Sequence, residues 1–196
     1  MCLRGEHRMA AALFVQFGAY LRPGELLEGG LIRDSVVLPE FIPASHRRTC
    51  YLLLGTHGRT TKNRREQTVE IACPIIIIAV LRKVISQTVT GQTLFPFSYQ
   101  TYYKAIQAAA SAQGLASLGF TPHSKRAGGA TQDLMDGKDF NHVQNKGRWA
   151  NQHSCRIYLD RAMALAGATI EKSIPFHILL AKPHLVGDIF LLSSLS

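Results

Sequence analysis

The sequence predicts an α+β fold, mostly helical, with three short β-like segments gathered in one block. Two observations carry this. Runs with helical period lie at 9–20, 74–89, 98–114 and 127–137, whereas strand-like runs bounded by turn residues occur only between 35 and 72. A third sets the scale: 196 residues, 46% hydrophobic and 18% charged, suit one globular domain with its own core rather than a disordered chain.

In chain order, Met9 to Tyr20 reads as an amphipathic helix presenting Leu13, Phe14, Phe17 and Leu21 to a core. Pro23 then suits the first turn of a new helix and Glu25 the positive end of its dipole, which places Arg22 at a helix start. The β-like segments are Ser35 to Leu38, Cys50 to Leu54, and Gln67 to Ala72 with alternating Val69 and Ile71. The loop 55–65 between the last two carries Arg59, Lys62, Arg64 and Arg65, as a solvated turn or a phosphate-tracking loop does. Pro74 to Val89 reads as a largely buried helix started by Pro74 and stopped near Gly91. Ser98 to Gly114 reads as a helix capped by Ser98, with Tyr102, Ile106 and Ala109 on one face. Pro122 fixes the approach to His123, Ala127 to Gly137 reads as helical, and Asn151 to Leu165 is a further candidate helix with Trp149 at its start. From Gly167 onward the chain is apolar and broken by Pro175, Pro183 and Gly187.

A formal net charge of +9 points toward a polyanionic partner, nucleic acid being the simplest. Cys2, Cys50, Cys73 and Cys155 show no paired spacing of the zinc type and read as reduced intracellular thiols. The apolar run from Ile71 to Leu81 is too short to span a bilayer and ends at Arg82-Lys83. Glu6 makes the N-terminus a poor signal peptide.

The chemistry concentrates between His123 and Tyr158. His123 and Arg126 stand three apart on a helix, which sets an imidazole able to pass a proton beside a guanidinium able to hold a phosphate. Gly147-Arg148-Trp149 and Arg156-Ile157-Tyr158 follow. Taken singly, such a His-Arg pair is usually a solvated helix face, and a lone Trp or Tyr is more often core. Their fixed order and tight spacing change that balance toward phosphate chemistry.

The segment resembles the C-terminal motif of the tyrosine recombinases, the class that includes phage integrases and Cre. That pattern is His-x-x-Arg, a Gly-(His/Trp) pair, and a Tyr nine residues further on. Here Trp149 follows His123 by 26 positions and Tyr158 follows Trp149 by nine. Arg148 stands between Gly147 and Trp149, a departure many integrases tolerate. The Leu21-Arg22 and Glu25-Leu26 pairs are similar to the family's first catalytic box, and Lys62 matches the lysine of its β-hairpin.

The resemblance implies the recombinase catalytic-domain fold over 9–166, with a small antiparallel three-stranded sheet, and a tail at 167–196 of unassigned structure. The family's N-terminal helical, core-binding domain is expected to be absent, since 21 residues precede Arg22. It further implies DNA strand cleavage and rejoining, as in site-specific recombination or integration of a mobile element, with neither metal nor cofactor. Arg22 and Arg126 would neutralise the non-bridging oxygens, Trp149 would donate its indole N–H, and Glu25 would orient the site. Tyr158 would attack phosphorus, forming a 3′-phosphotyrosine; His123 would assist its deprotonation and Lys62 would protonate the departing 5′ oxygen. Arg47, Arg48, Arg59, Arg64, Arg65 and Lys125 would supply phosphate contacts. Double-stranded DNA is the implied partner, with a homo-oligomer assembled on it, no membrane, and an intracellular location in nucleus or nucleoid. Three rivals stand beside this: an inactive DNA-binding relic, a type IB topoisomerase-like nicking–closing enzyme, and a metal-dependent hydrolase using His123, His142 and His153.

Overall fold

The computed structural model describes residues 7–27, 29–41, 48–56 and 66–160. Helix α1 (His7–Ala19) is followed by the one-turn α2 (Pro23–Leu26), strands β1 (Val36–Val37), β2 (Thr49–Leu54) and β3 (Gln67–Ala72), then α3 (Ile75–Ser86), α4 (Tyr99–Ala112), α5 (Pro122–Met135) and α6 (Phe140–Gly147). Residues 152–160 are helical and are called α7. The strands form one antiparallel sheet in the order β1-β2-β3, with Cys50 opposite Ile71 and Leu52 opposite Val69. The fold is therefore α+β, mostly helical, with a small three-stranded antiparallel sheet.

Alternation along β3 turns Val69 and Ile71 inward, and α1 lies across that face. The approach is close: a methyl placed on Gly18 of α1 would sit 2.6 Å from Ile71 Cγ2. Ala11, Ala12, Val15 and Ala19 are buried along α1, joined by Leu52, Ile71, Leu81, Phe95, Tyr102 and Ile106 in one core. Gln16 is buried with them because both ends of its amide are used. Its Nε2 donates to the Leu21 carbonyl at 3.2 Å, and its Oε1 accepts the Tyr102 hydroxyl at 2.9 Å.

A second, smaller core is formed by Tyr20, Ala130, Val143, Trp149, Cys155 and Leu159, with Tyr158 packed against it. Here α5 meets the end of α1 through glycine. A methyl on Gly129 would overlap the Phe17 carbonyl and lie 2.8 Å from the Tyr20 ring.

Several expectations change in detail. The first strand-like segment, expected at 35–38, is the two-residue β1, entered through a 3₁₀ turn at Arg33–Ser35. The expected largely buried helix at 74–89 is shorter and half-wet. Its run of four isoleucines cannot face one side at 100° per residue, so Ile77 and Ile78 are buried while Ile75 is 67% exposed. The helix expected from Ala127 begins at Pro122, and Ser98 caps α4 by accepting the Thr101 N–H at 3.1 Å. The helix α6 was not foreseen. Asp139 caps it, accepting the N–H groups of Asn141 (2.7 Å) and His142 (3.2 Å). The C-terminal segment of the expected last helix, and the tail, lie outside the described residues.

Because the α1–α5 approach has no room for a methyl, Gly129→Ala is expected to destabilise the protein by about 1–3 kcal/mol through overpacking. Gly137→Ala is the control at an open glycine of the same region, where only the left-handed backbone is strained. Urea unfolding of both variants measures the difference.

Candidate active site

The site is built on the end of α1. Tyr20 takes a left-handed conformation (φ 48°), which ends the helix and turns its carbonyl away from the helical ladder. That carbonyl accepts Nη1 of Arg126, while Nη2 of Arg126 donates to the Gly147 carbonyl. Arg148 reaches the same place, donating from Nη1 to the Ala19 carbonyl at 3.3 Å. A buried arginine is tolerated only where its donors are used. Arg126, 1% exposed, meets that condition by joining α5, the end of α1 and the end of α6.

Glu25 lies between two cations. Its Oε1 accepts Arg22 Nη1 at 2.7 Å, and its Oε2 accepts both the Arg22 backbone N–H at 2.8 Å and Arg148 Nη2 at 2.6 Å. The Glu25 and Arg148 side chains are 6% and 7% exposed, against 25% for Arg22. Burial works to raise the Glu25 pKa, yet Arg148 and Arg22 outweigh it and hold the carboxyl below its ordinary value. Burial first, then Arg22 and Arg148, push the Arg126 guanidinium down to about 10. Three guanidiniums and one carboxylate share this field, an excess of two positive charges.

The aromatic residues close over it. The Arg126 guanidinium carbon sits 4.3 Å from the Trp149 ring centre and 6.0 Å from that of Tyr158. Trp149 packs tilted against Tyr158 at 5.6 Å and Tyr20 at 6.3 Å. Gly147 makes the fold-back possible, because a methyl there would occupy the Trp149 ring. Trp149 is 7% exposed, and its Nε1–H is buried without an acceptor among the described residues, as is Nε of Arg148. An orphaned indole N–H on a ring packed against the Arg126 guanidinium fits an anionic acceptor.

Of the residues expected from sequence, the structure thus brings together Arg22, Glu25, Arg126, Trp149 and Tyr158. His123 is on the first turn of α5 but exposed, without a hydrogen bond or ion pair among the described residues, whereas Arg126 turns inward. Lys125 is half-buried beside Arg126, and burial pushes its ammonium down to about 8. Arg48 is exposed at the start of β2. Lys62, Arg47, Arg59, Arg64 and Arg65 lie outside the described residues. His142 stands 4.0 Å from Asp133, and among the described residues no three His, Cys, Asp or Glu side chains form a metal cage.

Three participants were missed. In the sequence Tyr20 marks only the end of a helix, and Arg148 only an interruption of the motif. Asp133 carries no sequence signal: it accepts the Tyr20 hydroxyl and pairs with Lys146 at 2.7 Å, with Lys146 stacked 4.6 Å from the Tyr20 ring. No local signal in the sequence marks these long-range partnerships, except that a Tyr before Leu21-Arg22 ends the α1 periodicity.

No protein-family pattern, curated protein or solved structure matches the chain.

The depressed Glu25 pKa fixes the sign of a pH effect. Stability from the two ion pairs is fully present above about pH 4.5, the ordinary carboxyl value, and is lost as pH falls through the lower folded value. Glu25→Gln is therefore expected to cost roughly 3 kcal/mol at pH 7, by leaving buried cations unpaired. The gap to wild type should close progressively as pH falls below about 4.5. Chemical denaturation across pH 3–7 measures it.

Proposed function

We propose that the chain cleaves and rejoins DNA strands through a covalent 3′-phosphotyrosine on Tyr158, as in site-specific recombination or integration. The observation that carries this reading is the buried indole N–H of Trp149, without an acceptor among the described residues, on a ring packed against both Arg126 and Tyr158 in a cluster with two excess positive charges. A phosphodiester resists attack because its charge repels nucleophiles and its leaving alkoxide is poor. Arg22, the outward-facing guanidinium, meets the non-bridging oxygens first. Arg126 and the Trp149 N–H then favour the more negative transition state. The Tyr158 oxygen attacks phosphorus, the bond to the 5′ oxygen breaks, and a general acid, Lys62 by resemblance, protonates the departing group. The phenol proton passes to His123, again by resemblance. The bond energy stays in the protein–DNA link, so a 5′-hydroxyl can reverse the step and rejoin the strand without a cofactor.

The net charge of +9 supports a duplex partner, with Arg47, Arg48, Arg59, Arg64, Arg65 and Lys125 contacting phosphates. Assembly as a homo-oligomer on DNA, in nucleus or nucleoid, belongs to the same reading. A second reading, a DNA-binding relic without cleavage, is favoured by Arg126, each of whose terminal nitrogens already gives one N–H to a backbone carbonyl, of Tyr20 or of Gly147.

A pool of randomised duplexes, nicked so that the cleavage product diffuses away, separates the two on a denaturing gel. The proposal expects a covalent band for wild type, none for Tyr158→Phe, and a band forming about 10²–10³-fold more slowly for Arg22→Ala. Retained DNA binding with no band from wild type supports the relic. Relaxation of supercoiled plasmid by wild type, without strand exchange, assigns a topoisomerase-like activity.

A further inference from the structure

Arg148 interrupts the motif between Gly147 and Trp149, yet its side chain is among the most thoroughly engaged in the site. Nη1 donates to the carbonyls of Ala19 (3.3 Å) and Lys146 (3.2 Å), and Nη2 to the Tyr20 carbonyl (3.5 Å) and Glu25 Oε2 (2.6 Å). With two acceptors on each terminal nitrogen, the group has no terminal donor left for a substrate oxygen. Its backbone is left-handed (φ 57°, ψ 37°), the conformation that caps α6 and sends the Trp149 ring back over Gly147.

We infer that Arg148 is a positioning residue of the anion site, balancing Glu25 so that Arg22 faces outward and anchoring the turn that presents the Trp149 indole. This rests on the phosphodiester reading of the same site. The charges make the case. Glu25 holds Arg22 through two hydrogen bonds, and Arg148 supplies the second positive charge that the buried carboxylate requires. Without it, Glu25 would draw the Arg22 guanidinium inward and the positive excess would fall from two to one. Arg126 is fixed in place by the Tyr20 and Gly147 carbonyls, so the loss would fall on Arg22, the cation with most access to solvent.

The turn and the guanidinium can be separated, because glycine prefers the left-handed backbone that arginine occupies here at some cost. Arg148→Gly keeps the turn and removes the cation; Arg148→Gly/Glu25→Gln also removes the carboxylate left unbalanced. Two readouts are taken on the full chain. One is quenching of Trp149, the single tryptophan, by inorganic vanadate; the other is formation of the covalent band with the nicked duplex pool. Vanadate affinity and band formation are expected to fall about tenfold or more in Arg148→Gly, the scale of a charge-assisted hydrogen bond. Both should recover severalfold in the double variant. Wild-type behaviour of Arg148→Gly, or a double variant as impaired as the single, overturns the inference.

If Arg148→Gly loses its far-UV circular dichroism, Arg148→Lys carries the test. Keeping charge but not the fork, it should weaken vanadate affinity about three- to tenfold, and unchanged affinity overturns the inference. A wild type that responds to vanadate but forms no band removes strand cleavage alone, and the variants still decide Arg148. A wild type whose Trp149 ignores vanadate removes both.

Discussion

The site depends on one turn of backbone. At Tyr20 the chain leaves α1 in a left-handed conformation, and the carbonyls of Ala19 and Tyr20 become acceptors for Arg126 and Arg148. These partners come from the other end of the described chain, on α5 and just after α6. No covalent or local preference brings them there. The gathering needs α5 to lie close on α1, which Gly129 permits, and needs α6 to end where Gly147 and Arg148 can reach back. Helix packing therefore comes first, and the cationic cluster follows from it.

Burying three guanidiniums together is costly unless each has acceptors. The protein meets this with backbone carbonyls for Arg126, and with one shared carboxylate for Arg22 and Arg148. Carbonyl dipoles hold a guanidinium without cancelling its charge, so the cluster keeps a positive excess in a poorly solvated setting, where it acts most strongly on an anion. The aromatic layer of Trp149, Tyr158 and Tyr20 maintains that setting. The candidate nucleophile and the indole donor thus belong to the wall that gives the charges their strength.

Much of the fold was legible because it is written in local periodicity. The alternation of Val69 and Ile71 located β3, and Ser98 located the start of α4. The helix α6 gives little signal because it is short and mostly polar, although Asp139 caps its start. Within the site, the resemblance nominated Arg22, Glu25, Arg126, Trp149 and Tyr158, and the structure groups them. Spacing could not show that His123 and Arg126, neighbours on one helix, would separate into solvent and core. That depends on the reach of a long side chain toward carbonyls more than 20 residues away in sequence. Tyr20, Asp133 and Arg148 were illegible for the same reason: each acts through a partner that only the tertiary fold supplies.

On the proposed function, a phosphoryl oxygen bound by this cluster accepts the Trp149 indole N–H. With one tryptophan in the chain, a nitrogen–proton NMR spectrum contains a single indole signal, which can be followed as vanadate is added in the presence of duplex DNA. The account predicts a downfield shift of that signal as the N–H gains a charged acceptor, saturating with vanadate and absent in Trp149→Phe. An indole signal that stays in place while vanadate and DNA are raised to saturation would contradict it.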